Sequence, residues 1–196
     1  PVGRPFTEAD SPAPQDPYGI SKLEAEEALF AQARAGGMQA VALRPPLVHG
    51  PGVRANFARL VGAVARGIPL PFGLVRNQRS LLHVDNLALA LALACERPEA
   101  ANRAYLLRDG HDLSTAELIR LIGEGLGRPA RLLPVPPALL RLAVTCLGKG
   151  GAARRLLGDL CVNDAAIRRD LGYAPVIEAE DGVRRTAASF LGGGTA

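Results

Sequence analysis

The chain has 196 residues, 48% of them hydrophobic and 21% charged, with a formal charge of +4. That composition builds one or two modest domains around a substantial core and excludes a disordered chain. Aromatics are only 4%, tryptophan is absent and the arginines are scattered without interleaved aromatics, so nucleic acid is not an expected partner.

In chain order, Pro1 to Gln15 is a proline-rich polar stretch, read as a surface loop. It carries no signal-peptide pattern, and the chain is expected to begin partway through a longer polypeptide. Asp16 can cap a helix with Pro17 in its first turn, and the helix should run through "YGISKLEAEEALFAQARA" to Gly36-Gly37. "MQAVALRPPLVHG" then reads as a buried strand stopped by Pro45-Pro46, the second half of a helix-to-strand unit of βαβ type. Asn56 to Gly67 is helical, with Phe57, Leu60, Val61 and Val64 on one side.

"RSLLHV" is a strand, followed by the helix "VDNLALALALACER", apolar almost all round and capped by Asp85 or Asn86. "AYLLRD" is a further strand, and Ser114 with Glu117 forms a capping box that starts a helix near Thr115. "PARLLPVPP" is extended. The apolar run from Pro136 to Gly148 is interrupted by Arg141 and too short to span a bilayer; it reads as a helix on the protein's own core, a monotopic contact being the alternative. "NDAAIRRDLGY", capped by Asn163 or Asp164, and "AEDGVRRTAASFLG" are the last helices.

Cys95, Cys146 and Cys161 are odd in number and lack CxxC spacing, so neither a disulfide framework nor a metal site is expected, and a reducing cytoplasm fits. Gly123, Gly125 and Gly127 fall at a helix end, and Gly148 to Gly151 surround Lys149 without a following Ser or Thr; both groups read as caps and loops, not phosphate cradles.

The residues that carry chemistry are Tyr18 and Lys22. At i and i+4 they share a helix face and can present a phenol and an ammonium to one ligand. Moving a phenol from its usual pH ~10 to neutrality requires roughly 4 kcal/mol. An ammonium ~5 Å away supplies about 3 kcal/mol at an effective dielectric of ~20. An exposed pair without function is the competing reading of the spacing alone.

"DPYGISKLEAEEAL", "LRPPLVHGPGVRANF", "RSLLHVDNLALAL" and "LGDLCVNDAAIRRDLGY" together resemble, in order and spacing, the C-terminal two thirds of extended short-chain dehydrogenase/reductases of the NAD-dependent epimerase/dehydratase branch. Within it, "GIPLPFGLVRNQRSLLHVDNL" and "DLSTAELI" look most like reductases and 4-epimerases of UDP-N-acetyl-hexosamine derivatives for surface polysaccharide, in particular UDP-4-keto-6-deoxy-N-acetylglucosamine 4-reductases. The resemblance implies an α/β fold: the late part of a Rossmann-like doubly wound parallel sheet, interleaved over residues 1–196 with a smaller substrate-binding domain. It implies NAD or NADP as cofactor, a UDP-sugar as substrate and hydride transfer at C4, with 4-keto reduction first and 4-epimerisation second.

By position, the resemblance makes Tyr18 the general acid/base and Lys22 the holder of the nicotinamide ribose, places the Pro45 backbone against the nicotinamide, and sets Asn56 and Arg79 on the nucleotide-sugar phosphates. Asn56 can equally cap its helix, Arg79 can be a surface residue, and His83 and Asp85 read as structural. His49 departs from the tyrosine common at its position.

The glycine-rich cofactor turn and the catalytic Ser or Thr of such enzymes are not among these residues. Weak dinucleotide binding by the chain alone is therefore expected, and an open sheet edge that favours a homodimer or other self-association. A same-fold alternative is a hydroxysteroid-type dehydrogenase; one of another class is a non-catalytic binding protein that keeps the fold.

Overall fold

The computed structural model describes residues 3–146 and 157–192, without the side chains of Val144 and Cys146. The glycines Gly148 to Gly151 and Lys149 lie outside the described residues. The order is α1 (Pro17–Gly36), β1 (Val41–Arg44), β2 (Leu47–His49), α2 (Ala55–Ala65), β3 (Leu81–His83), α3 (Val84–Glu96), a short 3-10 turn (Pro98–Ala100), β4 (Arg103–Leu106), α4 (Thr115–Gly125), α5 (Pro137–Cys146), α6 (Ala165–Leu171) and α7 (Ala179–Gly192).

Both strand pairs are parallel, as the α/β expectation requires: β1 lies beside β4 and β2 beside β3. The single strand expected before Pro45 proves to be two, because Pro45-Pro46 interrupts it and Leu47 to His49 resumes in the other pair. Proline has no N–H to continue a ladder, so two in a row release the chain from one sheet and let it join another.

Two cores follow from the alternation of a strand's faces. Leu81 of β3 enters a core with Phe57, Val61 and Val64 of α2, Ile119 and Ile122 of α4, and Val183 and Ala187 of α7. Leu82, the next residue, enters the other, with Ala90, Tyr105, Leu107, Ile167, Leu171 and Tyr173. β3 is thus the wall between α2–α4–α7 on one side and α3–β4–α6 on the other.

The helix ends obey local chemistry. Asp16 accepts from the Gly19 amide at 2.8 Å, and Gly37 ends α1 in the left-handed region at φ 66°. The capping box holds: Ser114 accepts from Glu117 N at 3.1 Å while Glu117 accepts from Ser114 N at 2.8 Å. At α3 the cap is neither Asp85 nor Asn86 but His83, whose Nδ1 accepts from the Asp85 amide at 3.3 Å. At α6 the cap residue is Asp164, yet Asn163 supplies the side-chain bond, to Ala165 N at 2.8 Å. Gly125 is more than an end residue, since a Cβ there would collide with the Arg184 carbonyl of α7.

Candidate active site

The first two turns of α1 carry Tyr18 and Lys22. Asp16 fixes its start, the Ser21 hydroxyl donates back to the Tyr18 carbonyl at 2.8 Å, and Gly19 leaves room for Pro14, which a Cβ would press at 2.9 Å. Tyr18 is 73% exposed and Lys22 is exposed beside it, with Nζ 5.6 Å from the centroid of the phenol ring. The helical spacing therefore does bring phenol and ammonium together, on a surface open to a ligand.

α1 is held to the sheet by a two-point ion pair: Arg44 of β1 donates to Glu26 through Nε at 3.0 Å and Nη2 at 2.5 Å. Pro45 comes next and is exposed. The parallel register pairs Leu47 with Leu81, which sets Pro45 and Arg79, each two residues earlier, at the same end of the β2–β3 pair.

Arg79 is half-buried and pinned through its backbone, exchanging N–H···O bonds with Leu113 at 3.0 Å, while its Nη1 lies 3.4 Å from the Gly158 carbonyl. Burial lowers its pKa from the ordinary arginine value, with nearby Cys161 and Asp159 acting in the opposite sense; a guanidinium nonetheless stays charged in proteins. It is not a loose surface arginine.

Asn56 stands apart, beyond the other end of β2, exposed on the first turn of α2. It does not cap that helix; Arg54 occupies the cap position and makes no side-chain cap bond. The residue before it, Ala55, has φ 56°, a left-handed backbone that costs an alanine about 1–2 kcal/mol and aims the start of α2.

A buried polar cluster was not legible as such. The Asn86 amide donates to Asp109 Oδ1 and the Ile177 carbonyl, both at 2.7 Å, and accepts from Val176 N at 2.9 Å and Ile177 N at 3.1 Å. Asp109 also accepts from His83 N at 2.7 and 2.9 Å. His49, at the end of β2, stacks on Phe57 at 5.4 Å, so its imidazole keeps an aromatic contact, and its Nδ1 meets Thr186 Oγ1 at 3.0 Å. Thr186 donates to the Gly182 carbonyl at 2.8 Å and so accepts from His49. The sequence signal is the three polar letters of "HVDN", which helix capping explains equally well.

Two surface cavities, of about 710 and 290 Å³, contain none of Tyr18, Lys22, Pro45, Asn56 and Arg79. The larger lies between Gly73, Arg120 and the turn Gly127 to Pro134; the smaller lies beside Gln78, Asp159 and Cys161. Tyr18 and Lys22 stand on the exposed face of α1, Pro45 and Arg79 at one end of the β2–β3 pair, and Asn56 on α2.

Against known proteins, the chain is 43% identical over 191 residues to a UDP-glucose 4-epimerase of Vibrio cholerae, covering 97% of this chain and 58% of that protein. It is 32% identical over 201 residues to a 2-alkyl-3-oxoalkanoate reductase of Stenotrophomonas maltophilia (strain K279a), covering 89% of this chain and 58% of that one. The structure of a Thermus thermophilus UDP-glucose 4-epimerase in complex with NAD matches at a TM-score of 0.75 and 23% identity, over 98% of this chain and 60% of that chain, a likeness of fold. The chain thus spans well under two thirds of the length of each of these proteins. Residues 1–107 match the NAD dependent epimerase/dehydratase family over more than half of the chain, and the chain belongs to that family.

Proposed function

We propose that the full-length protein carrying these residues is an NAD(P)-dependent enzyme acting at C4 of a UDP-hexose, with 4-epimerisation as its reaction. The observation that carries the reading is the pairing of Lys22 Nζ with the Tyr18 ring, 5.6 Å from its centroid on the exposed first two turns of α1. The name of the Vibrio cholerae relative supports epimerisation over the 4-keto reduction expected from sequence.

A bound nicotinamide would accept and return the hydride. The residues present fit its ribose end: an ammonium donor at Lys22, an open phenol face, and an exposed Pro45 at the sheet edge where a flat ring can lie. Tyr18 Oη takes the C4 hydroxyl proton as that carbon is oxidised and gives it back as the carbonyl is reduced. Lys22 places a positive charge beside the phenol ring during that exchange. Arg79, held stiffly between Leu113 and Leu160, offers planar donors to a diphosphate, and Asn56 a neutral amide.

The test uses the full-length protein with UDP-glucose and UDP-N-acetylglucosamine. Proton NMR should report the C4 epimer with no net change in dinucleotide, and Tyr18→Phe should lower kcat about 10²–10⁴-fold with nucleotide-sugar binding retained. Stoichiometric consumption of reduced cofactor by a 4-keto sugar would make it a reductase instead. The Stenotrophomonas relative supports a second reading, reduction of an apolar ketone; turnover of such ketones with none of UDP-sugars would sink the first.

A further inference from the structure

From Gly125 to Gly158 the sequence carries six of the chain's 23 basic side chains, Arg128, Arg131, Arg141, Lys149, Arg154 and Arg155, and none of its 19 acidic ones. The remainder of the chain is slightly acidic, so the positive charge of the protein is concentrated in this one stretch. Lys149, Arg154 and Arg155 lie outside the described residues. α5 sits in the middle of the stretch.

α5 turns apolar side chains outward. Leu139 is 57% and Leu142 62% exposed, three positions apart on the helix, and Leu133 and Leu74 are exposed on the segments joined by the Gly73 N to Leu133 O bond of 3.0 Å. Its polar content is small and already answered from within. The Thr145 hydroxyl donates to the Arg141 carbonyl at 2.7 Å, one helical turn back. Arg141, the one charged residue of α5, is exposed, and among the described residues neither it nor Arg131 has an ion-pair partner. A helix facing water usually presents polar residues at such positions.

We propose that α5, with Arg131 and Arg141, forms a docking surface for an anionic lipid bilayer, with the helix lying in the interface plane. Leu139 and Leu142 enter the boundary between headgroups and acyl chains, and Arg131 and Arg141 extend along the apolar surface to meet lipid phosphates. At ten residues the helix is about 15 Å long, half of the ~30 Å needed to cross. Among the described residues no helix is long and apolar enough to span a membrane. The contact is therefore peripheral. Charge decides the lipid: an acid-free basic stretch is attracted to phosphatidylglycerol-type headgroups and gains nothing from zwitterionic ones.

The experiment is co-sedimentation of the full-length protein carrying these residues with vesicles of phosphatidylcholine alone or with one quarter phosphatidylglycerol, against a vesicle-free control. The wild-type chain should pellet with the anionic vesicles only. Leu139→Gln/Leu142→Gln and Arg131→Gln/Arg141→Gln should each weaken binding on the order of tenfold or more. These side chains are exposed, so circular dichroism should show unchanged folding in both variants. Absence of wild-type binding to the anionic vesicles overturns the proposal. Binding that survives the leucine double variant undiminished, with equal retention on heparin, makes the stretch a general polyanion site and overturns it too. A wild-type dimer in sedimentation equilibrium that the leucine variant converts to monomer, without vesicle binding, assigns the face to a second copy.

Discussion

Asn86→Ala removes four hydrogen bonds at one stroke, and its cost can be worked out partner by partner. Val176 is 69% exposed, so its released N–H can find water. Ile177 is 6% exposed, so its N–H and C=O are left without partners, at about 1–3 kcal/mol each. Asp109, fully buried, loses a bond to a charged acceptor worth about 1.5–3 kcal/mol but keeps the two to His83 N. Water entering the space left by the amide recovers part of the sum, and a net loss of about 3–5 kcal/mol is expected against a total stability of ~5–15 kcal/mol. Urea unfolding followed by circular dichroism should show the midpoint falling by about 1.5–2 M with an unchanged slope. Asp85→Asn, one residue away and exposed, should stay within about 0.5 kcal/mol. A loss under about 1 kcal/mol for Asn86→Ala would refute the reasoning, because orphaned buried amides cannot be that cheap.

Gly125→Ala should destabilise by about 1–3 kcal/mol, since the new Cβ meets the Arg184 carbonyl and Ala187 of α7; a gain of about 1 kcal/mol, as at an open helical site, would refute that contact. Burial first, then the hydrogen bond and charge of Asp112, push the Cys161 thiol up to about 12, so peptide mapping after iodoacetamide at mildly alkaline pH should find exposed Cys95 modified well before it, and equal rates would contradict the placement. Burial and then the neighbouring His49 lower the pKa of His83, against weaker opposing effects of Asp85 and Asp109. The unfolded imidazole takes up its proton near pH ~6.5 and the folded one only lower, so stability falls as pH drops below about 6.5; His83→Asn should flatten that slope in urea midpoints, and an unchanged slope would count against it.

Local chemistry was legible in the sequence because it is decided within a few residues. Asp16 with Pro17, Ser114 with Glu117 and Gly37 each settle a helix end from neighbouring backbone groups alone, and all three stand as read. The i, i+4 geometry of Tyr18 and Lys22 is of the same kind. What escaped depended on partners far along the chain. His83 displaces Asp85 and Asn86 as the α3 cap because Asn86 is taken by Ile177, 91 positions away, and by Asp109. The break at Pro45-Pro46 was seen, but not that Leu47 to His49 would resume beside β3, since parallel pairing is fixed by the core and not by the strand itself. The sequence of α5 predicts a helix resting on the core, and its exposed leucines show that apolar periodicity alone does not say which surface a helix meets.

β3 is the element on which these features converge. Its start follows Arg79, which the Leu113 and Leu160 bridges hold in place, and its end, His83, is gripped by Asp109 through the backbone amide. Its first two residues, Leu81 and Leu82, face opposite cores. A three-residue strand has few ladder bonds of its own, so these flanking backbone bridges and the Asp109 carboxylate help to set its position. The Asn86–Asp109 lock thus holds the end of the strand whose register with β2 sets Arg79 at the Pro45 end. In the reaction proposed above, the diphosphate would meet Arg79 beside the β2–β3 pair and the proton would pass at Tyr18 on α1, which Glu26 ties to β1, and Pro45-Pro46 is the short link from β1 to β2. That link is rigid because both its residues have fixed φ, which is the property required if a diphosphate bound at Arg79 is to deliver a sugar to the α1 phenol.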